Sequence, residues 1–121
     1  PVLAAKGDRL REGIEAAFAN EGILARSTGH SRDAVAGGSL LSINFPLRDD
    51  VVIGSAEEAL NPALCDVTLR EKVLKLGFLL YDVNVSHGLG AISMAHSDAD
   101  LDHTIEACAA VAHRLAVARR A

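Results

Sequence analysis

The last quarter of the chain constrains its fold most. From Leu101, apolar residues recur at Ile105, Cys108, Ala112 and Leu115, in steps of four and three. That spacing returns to one side of an α-helix. The alanines among them let another element approach closely. Ser97 stands just before this stretch with Asp100 three residues on, the pattern of a capping box in which each side chain satisfies a backbone amide left open at a helix start. Asp98 and Asp100 suit the positive end of the helix dipole, and Arg119-Arg120 suit the negative end. A helix with one apolar side needs a layer to lie on, so the rest of the chain must supply one.

Upstream, Leu10, Ile14, Ala17 and Phe18 predict a helix from Asp8 to about Glu21, with Arg9, Arg11, Glu12 and Glu15 mostly off its apolar side. Gly22 suits the residue after the helix, where positive φ is needed, and Ile23 can pack back on the last turn. Residues Ile23 to Thr28 read as a strand. Gly29 to Gly38 is a polar connection. In Ser39 to Phe45, Leu41, Ile43 and Phe45 alternate with Ser42 and Asn44, which predicts a second strand ended by Pro46. Val51-Val52-Ile53 is a candidate edge strand, Ser55 to Ala59 a candidate helical turn, and Asn61-Pro62 a turn. Asp66 can cap a helix whose stripe reads Leu69, Val73, Leu76 and Leu80, running to about Tyr81 through Gly77. Val83-Asn84-Val85 and Ala91-Ile92-Ser93 read as short strands around His87 to Gly90. The order predicts one α+β domain over residues 1–121: a small, mostly antiparallel sheet covered by helices on one face.

Composition narrows the function. A net charge of −4 with scattered lysines and arginines argues against a nucleic-acid or anionic-membrane surface, and four aromatic side chains without Trp offer little for base stacking. No apolar run approaches a membrane span, and no signal peptide is read, so a cytoplasmic location is expected. Cys65 and Cys108 lack metal-ligand spacing and read as buried thiols. His96 and His103 with Asp98, Asp100 and Asp102 do not converge if Ser97 caps the helix, so no metal site is expected. A Ser/His/Asp hydrolase lacks its nucleophile elbow. Gly88 and Gly90 lack the helix start and GK[ST] of a phosphate loop and suit a tight turn. Lys6, Lys72 and Lys75 all read as solvated surface lysines.

The run Gly88 to Thr104, GLGAISMAHSDADLDHT, resembles the C-terminal end of the PLP-dependent class-III aminotransferases, in particular the branch around glutamate-1-semialdehyde aminomutase. The first helix with Gly22-Ile23, the strand Gly38 to Phe45, and Leu74 to Val85 resemble further pieces of the same family in the same order. The resemblance implies a C-terminal small domain of a fold-type-I PLP enzyme, part of a homodimer that moves an amino group between a donor and a carbonyl acceptor. It implies that pyridoxal 5′-phosphate, the Schiff-base lysine and the phosphate-binding loop belong to a missing N-terminal large domain, with no catalytic residue and no covalently bound cofactor in this chain. His30, Ser86, His87 and Gly88 are then candidates at the substrate entrance. Ser93, His96, Ser97 and Asp100 are the framework of a strand-to-helix joint. No arginine stands near Ile92-Ser93, where many class-III enzymes bind a carboxylate, and Gly88 stands about where the aminomutases carry an acid. A relative acting on another amine or amino acid therefore fits better than a strict aminomutase. The alternative is a non-catalytic α+β binding module.

Overall fold

The computed structural model describes residues 2–28, 40–53, 56–81, 89–91 and 97–120. The chain begins with helix α1 (Val2–Ala19) and continues through strands β1 (Arg26–Thr28) and β2 (Leu40–Asn44) to a short helix α2 (Ala56–Ala59). A π-helical turn (Leu69–Val73) runs directly into α3 (Leu74–Leu79), and strand β3 (Leu89–Ala91) precedes the long helix α4 (Asp98–Arg120). The sheet has three strands in the order β1-β2-β3, and both pairs are antiparallel. Its architecture is the expected α+β arrangement, with helices packed on one face.

Helix α1 starts six residues earlier than the periodicity predicts, because Leu3-Ala4-Ala5-Lys6 are good helix formers and no proline interrupts them. Its C-terminus is a Schellman motif. Gly22 has φ +73°, its N–H donates to Ala19 O at 2.9 Å, and Ile23 N–H reaches back to Phe18 O at 3.0 Å. Ile23 and Phe18 are both buried in the core, which is the apolar contact that closes this motif. β1 is half as long as the Ile23–Thr28 reading, since residues 23–25 still complete the turn out of α1. Residues 51–53 form no strand: Val51 is buried and Val52 exposed, while the Val51 carbonyl is taken by Arg26. The turn at Asn61-Pro62 is present, with Asn61 Oδ1 accepting the Ala63 N–H at 2.9 Å.

Asp66 caps the next helix by accepting the Leu69 N–H at 3.0 Å. The predicted stripe is corrected, however. Leu69 is buried, but Val73, Leu76 and Leu80 are exposed, and Leu74 and Phe78 take their place in the core. The cause is the π-helical turn, which holds about one residue more than an α-turn and rotates every later side chain. The buried face therefore runs 69, 74, 78. The third strand is also shifted: it starts at Leu89, two residues before the expected Ala91, and pairs Leu40 with Ala91 and Ser42 with Leu89. The expected strand Val83–Val85 lies outside the described residues.

The core joins Leu10, Ile14 and Phe18 of α1 to Ile43 and Phe45 and to Leu101, Cys108 and Ala112 of α4. Phe18 and Phe45 meet edge-to-face with centroids 5.1 Å apart. Contacts between the first and last helices rise together along both: Arg9 with Asp98 and Asp102, Gly13 against Ile105, Glu21 with His113. α1 and α4 are thus parallel neighbours. A Cβ at Gly13 would come within 2.4 Å of Ile105, and one at Gly77 of α3 would make a tight but less severe contact with Val111 at 3.1 Å.

Candidate functional site

The strand-to-helix joint is the part of the sequence-predicted site that the described residues include. Ser97 Oγ accepts the Asp100 N–H at 3.2 Å, and Asp100 Oδ2 accepts the Ser97 N–H at 2.8 Å. These reciprocal bonds form a capping box, and Thr104 Oγ1 adds a bond to Asp100 O. Both partners are exposed, and the bonds between them anchor the backbone at the start of α4. His30, Ser86, His87, Gly88, Ser93 and His96 lie outside the described residues. His103 is turned away from Asp98 and Asp102: its Nε2 meets Tyr81 O at 2.8 Å, while Arg9 takes both aspartates. Among the described residues no three His, Cys, Asp or Glu side chains are grouped to hold a metal.

Several buried polar residues carry no periodic signal in the sequence. Arg11 is fully buried although its position reads as off the apolar side; its Nε donates to Thr28 O at 2.9 Å, tying α1 to the end of β1. Glu15 accepts the Ser27 N–H at 2.9 Å. Arg26 lies directly opposite Asn44, so both share one side of the sheet, and Asn44 is fully buried there. The Arg26 guanidinium donates to the carbonyls of Asp49 and Val51, which folds the loop after β2 across that side. Arg70, turned inward beside Leu69 by the π-helical turn, meets Ser42 Oγ at 3.4 Å and Glu71 at 3.4 Å. Side chains that bond to backbone carbonyls of distant segments leave no local pattern to read.

Cys65 is buried between these arginines. Burial raises its thiol pKa, and the charges of Arg26 and then Arg70 oppose that shift without overcoming it. Cys108, fully buried in the helix interface, is pushed up to about 12 by burial. Both thiols stay protonated near neutral pH and behave as small apolar groups. A solvent-open cleft of about 240 Å³ lies beside Gly22, Phe45, Pro46, Asp66 and Arg119. Arg119 spans it toward Asp66 at 4.0 Å, and neither Ser97 nor Asp100, the described members of the sequence-predicted site, lines it.

The lysines do not fit an imine site. Lys72 and Lys75 are exposed on one helix, and Lys6 is half-buried and already engaged with another group. An imine-forming lysine needs a desolvated pocket around its amine. The described residues of this chain supply none.

Among solved structures, the chain is similar to a β-phenylalanine aminotransferase from Variovorax paradoxus, with a TM-score of 0.67 and 28% identity. The match covers 89% of this chain and 22% of that one. This is the fold of an aminotransferase-related domain. It spans about a fifth of the matched enzyme's length. No family model and no curated protein matches the chain. The match names an aminotransferase and lends nothing to the glutamate-1-semialdehyde aminomutase branch. No helix among the described residues is long and apolar enough to cross a membrane.

Proposed function

We infer that this chain is the C-terminal small domain of a longer PLP-dependent aminotransferase. The observation that carries the reading is the coverage: nearly all of this chain matches a small part of an aminotransferase. The intact enzyme transfers an amino group between an amine or amino acid and a carbonyl acceptor, and works as a cytoplasmic homodimer. This domain shapes the substrate entrance, where His30, Ser86, His87 and Gly88 are the candidates for contact. The strand-to-helix framework at Ser93, His96, Ser97 and Asp100 holds the domain's shape. The chain alone is inactive and binds no PLP covalently.

Two measurements test this. Adding PLP to the isolated chain is expected to give no borohydride-trappable imine at Lys6, Lys72 or Lys75. A stable internal aldimine mapped to one of them would sink the reading. The genomic reading frame upstream of Pro1 is expected to encode several hundred further residues with a strand-terminal lysine, and a start codon at Pro1 would defeat it. A second reading, a non-catalytic interaction module, draws on the exposed leucines of α3. It predicts the opposite genomic result.

A further inference from the structure

The helix that ends in α3 is apolar on two sides. One side buries Leu69, Leu74 and Phe78 in the core. On the other, Val73, Leu76, Leu79 and Leu80 are 39, 67, 50 and 64% exposed. Residues three, four and seven apart share one side of a helix, so Val73, Leu76 and Leu80 form a seam with Leu79 beside Leu76. Single exposed leucines are ordinary, but a continuous seam marks a contact surface. This spacing is the one by which helices receive other helices.

The charges along the seam have one sign. Lys72 stands four residues before Leu76, and Lys75 four before Leu79, so both ammonium groups lie along the same side. Both are exposed. Neither has an ion-pair partner among the described residues, and the adjacent Glu71 is held by Arg70 at 3.4 Å.

We propose that this side of the helix docks an amphipathic helix of a partner protein whose leucine-type stripe is flanked by Asp or Glu. The seam supplies apolar area and the two lysines select the charge of the flanks. A second copy of this chain fits less well, because it would set Lys72 and Lys75 of one chain against the same lysines of the other. The seam is also only four side chains on one short helix, whereas a stable dimer interface takes roughly 800 Å² and about 20–30 residues per partner. The occupant is therefore a single helix in an exchangeable contact. The proposal requires this side of the helix to stay open in the longer enzyme inferred above.

The test uses the full 121-residue chain, labelled with 15N, and two synthetic helical peptides with one leucine stripe, flanked by Glu in one and by Lys in the other. The Glu-flanked peptide is expected to shift the amides of residues 73–80 and to bind at least about tenfold more tightly, the gap that about 1.4 kcal/mol gives. The double change Lys72→Glu and Lys75→Glu is expected to reverse that order. Leu76→Asp is expected to abolish binding while leaving the unfolding midpoint in place, since Leu76 is outside the core. Equal binding of the two peptides, no binding by either, or shifts confined to other helices would overturn the proposal. So would a concentration-dependent dimer that Leu76→Asp dissociates, which would assign the seam to a second copy.

Discussion

Cys108 couples the stability of this domain to alkaline pH. Burial lifts its pKa from 9.0 to about 12, so the folded protein keeps a proton that the unfolded chain releases above about pH 9. The unfolded state then binds fewer protons than the folded state, and stability falls as pH rises between these two values. The loss approaches about 1.4 kcal/mol per pH unit within that window and is absent below it. Cys65, also raised by burial, contributes with the same sign. Urea unfolding followed from pH 7 to pH 11 is expected to show this decline, and Cys108→Ala is expected to flatten it. A second residue-scale prediction concerns Gly13. Gly13→Ala improves helix propensity by up to about 1 kcal/mol, but its methyl would overlap Ile105, and overpacking costs about 1–3 kcal/mol. A net loss in thermal stability is expected, and Ile105→Ala is expected to cost less in that background than in the parent chain. Additivity of the two changes would show that the helices simply separate. Ser97→Ala removes one half of the capping box and is expected to cost about 1 kcal/mol, with Ser97→Thr retaining most of it.

At the scale of elements, the caps were legible and one helix register was not. Gly22, Asp66 and the Ser97–Asp100 pair act locally, through bonds to backbone a few residues away, so sequence spacing reports them directly. The stripe Leu69-Val73-Leu76-Leu80 is an equally good 3.6-residue pattern, yet it is the outward seam over most of its length. Two apolar sides compete on this helix, and periodicity alone cannot say which one meets the core. The π-helical turn decides it by carrying Leu69 and Leu74 to the same side across five residues. This yields a prediction. Deleting Lys72, an exposed residue of the π-helical turn, restores an α-helical spacing of four between Leu69 and Leu74 and keeps the core intact. Its unfolding midpoint is expected to stay within a few degrees of the parent chain. Deleting Lys75 instead, in the α-helical part, swings Leu69, Arg70 and Leu74 out of register with Phe78, and a loss above about 3 kcal/mol is expected because buried leucine-sized side chains leave the core. Similar losses for both deletions would mean that the π-helical turn is not the source of the register. The buried arginines were illegible for a different reason. Arg11 and Arg70 are held by groups 17 and 28 residues away, and only the assembled fold makes those positions interior.

At the scale of the molecule, the fold closes through its two ends. Helices α1 and α4 lie parallel, and their contacts join residues about 90 apart in sequence. Their ion pairs are exposed and contribute little each. The apolar seam between them, with Ile14, Phe18, Leu101, Cys108 and Ala112, forms much of the core. The sheet is small, with strands of three, five and three residues, and cannot hold itself together without that helical layer. A chain lacking α1 therefore loses the roof over β1 and β2, along with the Arg11 bond to Thr28 and the Glu15 bond to Ser27. Such a truncation, beginning at Gly22, is expected to keep part of its helical far-UV signal, because α4 carries its own capping box, but to lose cooperative unfolding and dispersed amide resonances. Adding α1 back as a separate peptide is expected to restore both, since the two helices meet by side-chain packing and need no covalent link to do so. A truncated chain that still unfolds cooperatively would show that the sheet and the α3–α4 contact at Gly77 and Val111 suffice. The parallel clamp of first and last helices would then serve orientation of the domain, and its stability would lie elsewhere.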